Sequence, residues 1–124
     1  MSFSAILRDI VAGADGCVGA ALMGSDGIAI EQFTAAGAAE LGLEEEVGSA
    51  GAEFCRVLEE IGKASDALGG GAVSEVVVSL ARFLLVFRVV DEEVFLVVLL
   101  TPDGNLGKAR YLLRRHLLAL RREL

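Results

Sequence analysis

The chain has 124 residues, a length at which one domain with its own core is expected. Hydrophobic residues make up 54% of it and the mean hydropathy is +0.60, which predicts apolar surface beyond the core that a partner covers. The net charge of −7 argues against a general nucleic-acid binder and helps to keep so apolar a chain soluble.

Charged residues interrupt the first apolar stretch, at Arg8, and the strongest one, 83–100, at Arg88, and no uncharged run approaches the length of a membrane-spanning helix. No segment therefore has the pattern of a signal peptide or a membrane span, and we expect a cytoplasmic protein. Cys17 and Cys55 are isolated and lie in apolar surroundings. We expect both to be reduced thiols in the core, with no metal bound.

Apolar residues at helical spacing predict a first helix that is capped by Ser2 or Ser4 and ends at Gly13. Two apolar runs follow, at 17–23 and 28–33, and an Asp-Gly pair separates them. Glycine accepts the positive φ of tight turns, so these runs predict an antiparallel hairpin. The Ala/Gly-rich stretch after the hairpin is predicted to be a loop.

A long helix is predicted from the acidic run 44–46, which suits the positive end of the helix dipole, to Leu68, where three glycines end it. Its apolar stripe comprises Val47, Phe54, Leu58, Ile61 and Leu68. A line of small residues, called the small line below, runs beside that stripe and comprises Gly48, Ala52, Cys55 and Gly62.

Glycines inside a helix cost about 0.5–1 kcal/mol each relative to alanine, so Gly48, Gly51 and Gly62 need a reason. Two explanations are open. The helix packs closely on the sheet of its own chain, or a helix from a second subunit approaches it closely. The sequence interpretation favours the second subunit.

Three more strands are predicted at 73–80, 83–90 and 94–100, and a last helix begins near Asn105, with Asn105 or Asp103 as its cap. Both faces of the last two strands are apolar, which predicts a sheet that is covered on both sides. The element order is α-β-β-α-β-β-β-α. The fold class is therefore α+β, with one compact domain spanning residues 1–124 and a central sheet between two helical layers.

Motifs for catalysis or cofactor binding are missing from the sequence. The glycines at 13–19 and 69–71 precede strands, so neither group is a dinucleotide or phosphate loop. His116 is the single histidine, and we expect it on the surface of the last helix. The acidic runs 44–46 and 91–93 fit a helix start and a hairpin turn. No enzyme activity, cofactor or metal is expected.

Six of the eleven basic residues lie between Lys108 and Arg122. They form either a solvated face that suits the negative helix end or a contact surface for an acidic partner or membrane headgroups. The candidate contact residues are Lys108, Arg114, Arg115, Arg121 and Arg122.

Three features of the sequence carry a family resemblance: the element order, the turn Met-Gly-Ser-Asp-Gly-Ile at 23–28, and the segment 105–115 that begins Asn-Leu-Gly. Together with the Gly-rich end of the long helix, they make residues 3–122 resemble the Roadblock/LC7 family. The resemblance is to the bacterial class associated with Ras-like small GTPases and gliding-motility polarity. The start Met1-Ser-Phe and the short chain resemble the type whose members bind another Roadblock protein.

The resemblance implies a five-stranded antiparallel sheet with the first and last helices on one face and the long helix on the other. It also implies a homodimer, in which the long helices pack antiparallel and the third strands meet edge to edge. The residues expected at that interface are Gly48, Ala52, Cys55, Glu59, Gly62, Val76, Val77 and Val78. The implied function is that of a non-catalytic regulator or adaptor that binds a Ras-like GTPase or another Roadblock protein.

Two other functions remain open at the level of sequence. A small ligand-binding or enzymatic domain would gain support if Arg88, one of two charges that interrupt the strands, were buried opposite Glu75 in a cleft. A structural subunit held at a membrane would find its support in the basic last helix.

Overall fold

The computed structural model describes residues 2–43 and 45–124, so Met1 of the predicted start and Glu44 of the predicted acidic helix start lie outside the described residues. The element order agrees with the prediction. The elements are α1 (Phe3–Gly13), β1 (Cys17–Gly24), β2 (Ala29–Thr34), α2 (Glu46–Leu68), β3 (Glu75–Ser79), β4 (Leu84–Val89), β5 (Val94–Leu100) and α3 (Leu106–Glu123).

The five strands form one antiparallel sheet in the order β2-β1-β5-β4-β3, so β2 and β3 are its edges. Helices α1 and α3 pack on one face and α2 packs on the other. Alternation along the strands supplies both cores: Val86 and Val98 face α1 and α3, whereas Phe87 and Val97 face α2. The predicted fold class, with its two helical layers, is confirmed.

Residues that the sequence pattern predicts as caps lie at the starts and ends of the helices. Ser2 Oγ accepts a hydrogen bond from the Ala5 N–H at 3.2 Å, and Asn105 Oδ1 accepts one from the Lys108 N–H at 3.0 Å. Gly69 ends α2 with a left-handed φ of 67°. Of the alternatives that the sequence left open, Ser2 and Asn105 are therefore the caps.

Three details differ from the sequence interpretation. Strand β3 is five residues long, because residues 72–74 approach it without joining the ladder as a strand. Leu68 is 85% exposed and does not belong to the buried stripe of α2. Strand β2 carries a bulge: Leu22 pairs with Glu31 and Met23 pairs with Ala29, so Ile30 is an extra residue on this edge.

Candidate interaction surfaces

Strand β3 leaves one edge of the sheet open. The Leu80 N–H donates to the Phe83 carbonyl at 3.0 Å, and the Val89 N–H donates to the Ser74 carbonyl at 2.9 Å. Inward and outward bonding alternate along an antiparallel strand, so every second residue between them directs its backbone groups away from the sheet. Those residues are Glu75, Val77 and Ser79. Val77, at the centre of this edge, is 41% exposed.

An apolar row on α2 lies on the side of the helix nearest β3. Its first member, Phe54, stacks on Phe87 of β4 with the ring centroids 5.1 Å apart. The row continues at spacings of three and four residues, the pattern of helices that pack side by side. We call it the α2 seam; it comprises Phe54, Val57, Ile61, Ala64 and Leu68. Val57, Ala64 and Leu68 are exposed.

The small line lies on the opposite side of α2 and faces the β1–β2 hairpin of the same chain. A Cβ atom on Gly27 would lie 3.1 Å from Cys55 Sγ and 3.6 Å from the Ala52 carbonyl oxygen. A Cβ atom on Gly48 would lie 2.8 Å from Oε1 of Gln32 on β2. Packing on the chain's own sheet therefore accounts for this part of the line.

The other two glycines of α2, Gly51 and Gly62, have different surroundings. A Cβ atom on Gly51 would lie 2.7 Å from two side-chain atoms of Met23, so α2 needs a glycine there to approach β1. A Cβ atom on Gly62 would meet no atom of the described residues within 4 Å. Glu59, also expected at a dimer interface, is exposed and pairs with Lys63 on its own helix at 3.8 Å.

A polar cluster joins β3, β4 and α3. Glu75 pairs with Arg88 in the strand register, and Glu75 Oε2 lies 3.7 Å from Arg88 Nη1. Arg110 of α3 donates from Nε to the other oxygen of Glu75. The side chains of Glu75 and Arg88 are 11% and 19% exposed, and Arg88 Nε has no hydrogen-bond partner within the described part of the chain.

Arg88 also lines a cleft of about 690 Å³ at the end of the sheet, between the second half of α2 and the β4–β5 turn. Apolar side chains such as Leu58, Val73 and Phe95 form much of its wall, and Arg121 lines it as well. This volume is in the range of small-molecule sites. Arg88 is half-buried opposite Glu75, and Arg88 lines this cleft whereas Glu75 does not, so the sequence condition for the ligand-binding alternative is met only in part.

His116 corrects the sequence interpretation, which placed it on the helix surface. It is 7% exposed, and its Nε2 lies 2.6 Å from Oδ2 of Asp9 on α1. Its spacing to Leu113 and Leu120, three residues before and four after, puts it on the buried side of α3. That spacing was the sequence signal for a buried position. The aspartate could not be anticipated, because it lies 107 positions away.

The two cysteines differ from each other, although both are free thiols. Cys17 lies in the core, and its burial raises the pKa of the thiol to about 12, although a backbone hydrogen bond with Gly19 opposes the shift. Cys55 is half-buried, so its predicted place in the core is wrong, and its Sγ donates to the Ala52 carbonyl at 3.1 Å.

Within residues 2–43 and 45–124, no group of three or more His, Cys, Asp and Glu side chains is arranged to hold a metal ion. None of the helices in that part of the chain is long and apolar enough to cross a membrane.

The outer side of α3 carries the predicted basic contact residues, all of them exposed. Arg121 Nε donates to the Val90 carbonyl at 2.9 Å, and Lys108 Nζ lies 5.3 Å from the centroid of the Tyr111 ring. Tyr111 and Leu118 are 49% and 58% exposed among these cations. We call this surface the basic face of α3; it comprises Lys108, Tyr111, Arg114, Arg115, Leu118, Arg121 and Arg122.

A five-stranded antiparallel sheet with two helices on one face and one on the other defines a domain whose accessible features are an open strand, an apolar helix row and a basic helix. The same fold occurs in the Roadblock/LC7 domain from Streptomyces avermitilis, with a TM-score of 0.82 over 99% of this chain and 98% of that one, at 18% identity. MglB from Thermus thermophilus superposes with a TM-score of 0.82 over 95% of this chain and 84% of that one, at 19% identity.

MglC from Myxococcus xanthus is more similar in sequence. It is 37% identical to this chain over 100% of both chains, with a TM-score of 0.70. The chain therefore belongs to the Roadblock/LC7 family, and the predicted resemblance to its short bacterial type is confirmed. No protein-family model and no curated protein matches the chain.

Proposed function

We propose that this chain is a non-catalytic, homodimeric, cytoplasmic regulator or adaptor in a Ras-like small-GTPase module of the gliding-motility or cell-polarity kind. Its partner is the GTPase itself or a second Roadblock protein. The observation that carries the proposal is the 37% identity to MglC over the whole of both chains. The open β3 edge beside the exposed α2 seam supports it physically.

Two surfaces that a second copy of the chain would bury, the β3 edge and the α2 seam, support the homodimer. Unpaired strand edges are usually protected in native proteins, and pairing β3 with β3 of a second copy about Val77 would satisfy the outward backbone groups. A two-fold axis at Val77 would also bring the two α2 helices together. The apolar residues nearest that axis are those of the seam, three of which are exposed.

This arrangement adds the α2 seam to the interface expected from the sequence. Val76, Val77 and Val78 remain proposed contacts. Gly48, Ala52 and Cys55 lie beside their own hairpin and also stay a prediction for the interface. Glu59 and Gly62 stay proposed contacts at the margin of the helix pair.

A regulator that catalyses no reaction needs only to bind its partner and hold it in one conformation or position. The dimer would present two copies of each surface about one axis, and the resemblance to the family assigns no catalytic side chain to this chain. Association would then bias the conformation of the GTPase or recruit a second Roadblock protein to it.

The test begins with capture from a native lysate of the source organism, with the chain as bait and mass spectrometry as readout. We expect a Ras-like GTPase or another Roadblock protein. The prey is then purified, and its binding and the rate of GTP hydrolysis are measured with and without the chain. A prey set without either class, or a prey that does not bind in purified form, would overturn the proposal.

A second candidate function is supported by Arg88. Arg88 lines a cleft of small-molecule size, and its Nε is buried without an acceptor among the described residues, so a small carboxylate with an apolar body is the ligand class that fits. Screening such carboxylates by NMR should shift the amide signals of Gly62, Ala72 and Phe95 in the cleft. The Arg88→Met variant should lose those shifts, whereas a screen without any shift would exclude this candidate.

A further inference from the structure

The basic face of α3 concentrates positive charge in a protein whose net charge is negative. Helix α3 holds six of the eleven basic residues and one of the eighteen acidic residues, so it carries +5 while the rest of the chain carries −12. Helix α2, on the opposite face of the sheet, holds five acidic and two basic residues. The protein is thus polarised across its sheet, with positive charge on the α3 side.

Three arginines of this face are not used by the fold. Arg121 of the same face is bound to the Val90 carbonyl, and Arg110 beside it is bound to Glu75. By contrast, Arg114, Arg115 and Arg122 are exposed, and no hydrogen bond or ion pair engages them in the part of the chain that the structure describes. Arginines kept together without internal partners leave their donors for anions outside the molecule.

Two apolar side chains lie among these arginines. Tyr111 and Leu118 are seven residues apart, two turns of the helix, so they share one side of it and both are about half exposed or more. A row of cations with an aromatic and an aliphatic side chain along one helix is typical of helices that lie at a lipid headgroup layer.

We propose that the basic face of α3 docks this protein on an anionic phospholipid membrane. The arginines would bind lipid phosphates, and Tyr111 and Leu118 would enter the headgroup layer. The stripe is about 27 Å long for the 18 residues of α3, and so extended a surface suits a flat bilayer better than a point contact. The acidic face with α2 would point away from the negative lipids.

The proposed homodimer would strengthen the membrane contact, and this bivalent binding rests on the proposed function. A two-fold axis perpendicular to the sheet keeps both α3 helices on the same side, so two basic faces would lie in one plane. Simultaneous contact of both faces raises the apparent affinity without a new interaction.

The test is co-sedimentation of the full chain with vesicles of 70% phosphatidylcholine and 30% phosphatidylglycerol, with pure phosphatidylcholine vesicles as the comparison. We expect binding to the anionic vesicles at low salt and at least a tenfold loss on raising the ionic strength, because screening weakens the attraction. Arg114→Glu/Arg115→Glu should lower the partition coefficient at least tenfold. The matched control Arg56→Glu/Lys63→Glu changes the charge equally on the α2 side and should keep binding near the wild-type level.

Tyr111→Ser/Leu118→Ser separates the lipid contact from simple charge attraction, since it should weaken binding with no change of charge. No sedimentation with anionic vesicles, equal binding to neutral vesicles, or equal loss in the α2 control would overturn the proposal. So would binding of an acidic protein partner by this face in place of vesicles. Light scattering of the same samples reports the dimer separately, so a dimer that ignores vesicles refutes the membrane contact alone.

Discussion

Asp9 Oδ2 and His116 Nε2 lie 2.6 Å apart and connect the first helix to the last. Helices α1 and α3 pack together through apolar side chains on this face of the sheet, and the pair is a polar contact within that layer. A buried imidazole that loses its partner cannot recover a hydrogen bond from water.

Asp9→Ala is therefore expected to lower the free energy of unfolding by about 1–2 kcal/mol, measured by urea denaturation at neutral pH. Asp15→Ala, at an exposed aspartate just after α1, is the matched control and should change it by less than about 0.5 kcal/mol. Equal midpoints for the two variants would show that the contact adds nothing to stability.

The β3 edge predicts a specific response to one charge. Val77→Lys puts an ammonium group at the centre of the proposed strand pair, so light scattering should change from twice the 13.0 kDa chain mass to the single chain mass. Ile30→Lys places the same charge on the other edge strand and should leave the mass doubled. A Val77→Lys protein that keeps the doubled mass would refute pairing through β3.

The two sides of α2 are distinguished by a second pair of variants. Val57→Glu, in the α2 seam, should raise the dimer dissociation constant at least tenfold, because a carboxylate would be buried between helices. Gly62→Ala has space for its methyl group among the described residues and lies at the margin of the proposed helix pair, so it should raise the free energy of unfolding by about 0.5–1 kcal/mol with little change in dimer affinity. Gly62→Ala dimers as weak as those of Val57→Glu would instead place the small line at the centre of the interface.

The cysteines should react at different rates. Alkylation at pH 8 followed by mass spectrometry should modify Cys55 at least about tenfold faster than Cys17, because Cys17 is buried and its thiol stays protonated. In the Cys55→Ser variant, only the slow alkylation of Cys17 should remain. Equal rates in the native protein would mean that the region around Cys17 opens freely.

The Cys17 thiol makes the free energy of unfolding depend on pH. The pKa of Cys17 is about 12 in the folded chain against an ordinary value of 9.0, so the unfolded chain releases this proton first as the pH rises. Its contribution to stability is complete below pH 9 and is lost between pH 9 and 12. At pH 10 wild type should have lost about 1 kcal/mol more than Cys17→Ala relative to pH 8. Parallel losses in the two proteins would argue against this assignment.

Local patterns in the sequence were sufficient for the elements and their order, whereas the placement of α1 and α3 on one face of the sheet and α2 on the other came from the family resemblance. Each strand and helix is marked by its own periodicity, and glycines or short polar side chains mark the ends, as Ser2, Gly69 and Asn105 do. The double-sided apolar pattern of β4 and β5 placed them inside the sheet, because such strands need cover on both faces. These are short-range properties that a sequence shows directly.

The surfaces were harder to predict, because they depend on which side of an element faces which neighbour. The small line and the α2 seam both repeat at helical spacing, and only the positions of Gly27 and Phe87 show that one faces the hairpin and the other faces β3. The pairing of Arg88 with Glu75 could be posed from sequence, but its cleft depends on how α2 ends over the sheet.

The extra residue at Ile30 sets a limit on how far copies of this chain can associate through their strands. A ladder that grows at both edges of a sheet would polymerise without end. Here the bulge breaks the regular row of backbone groups on β2, whereas β3 keeps an unbroken register with β4 along its whole length. In the proposed dimer, strand addition through β3 would therefore be self-limiting: it would stop after two chains because of a single extra residue on the far edge.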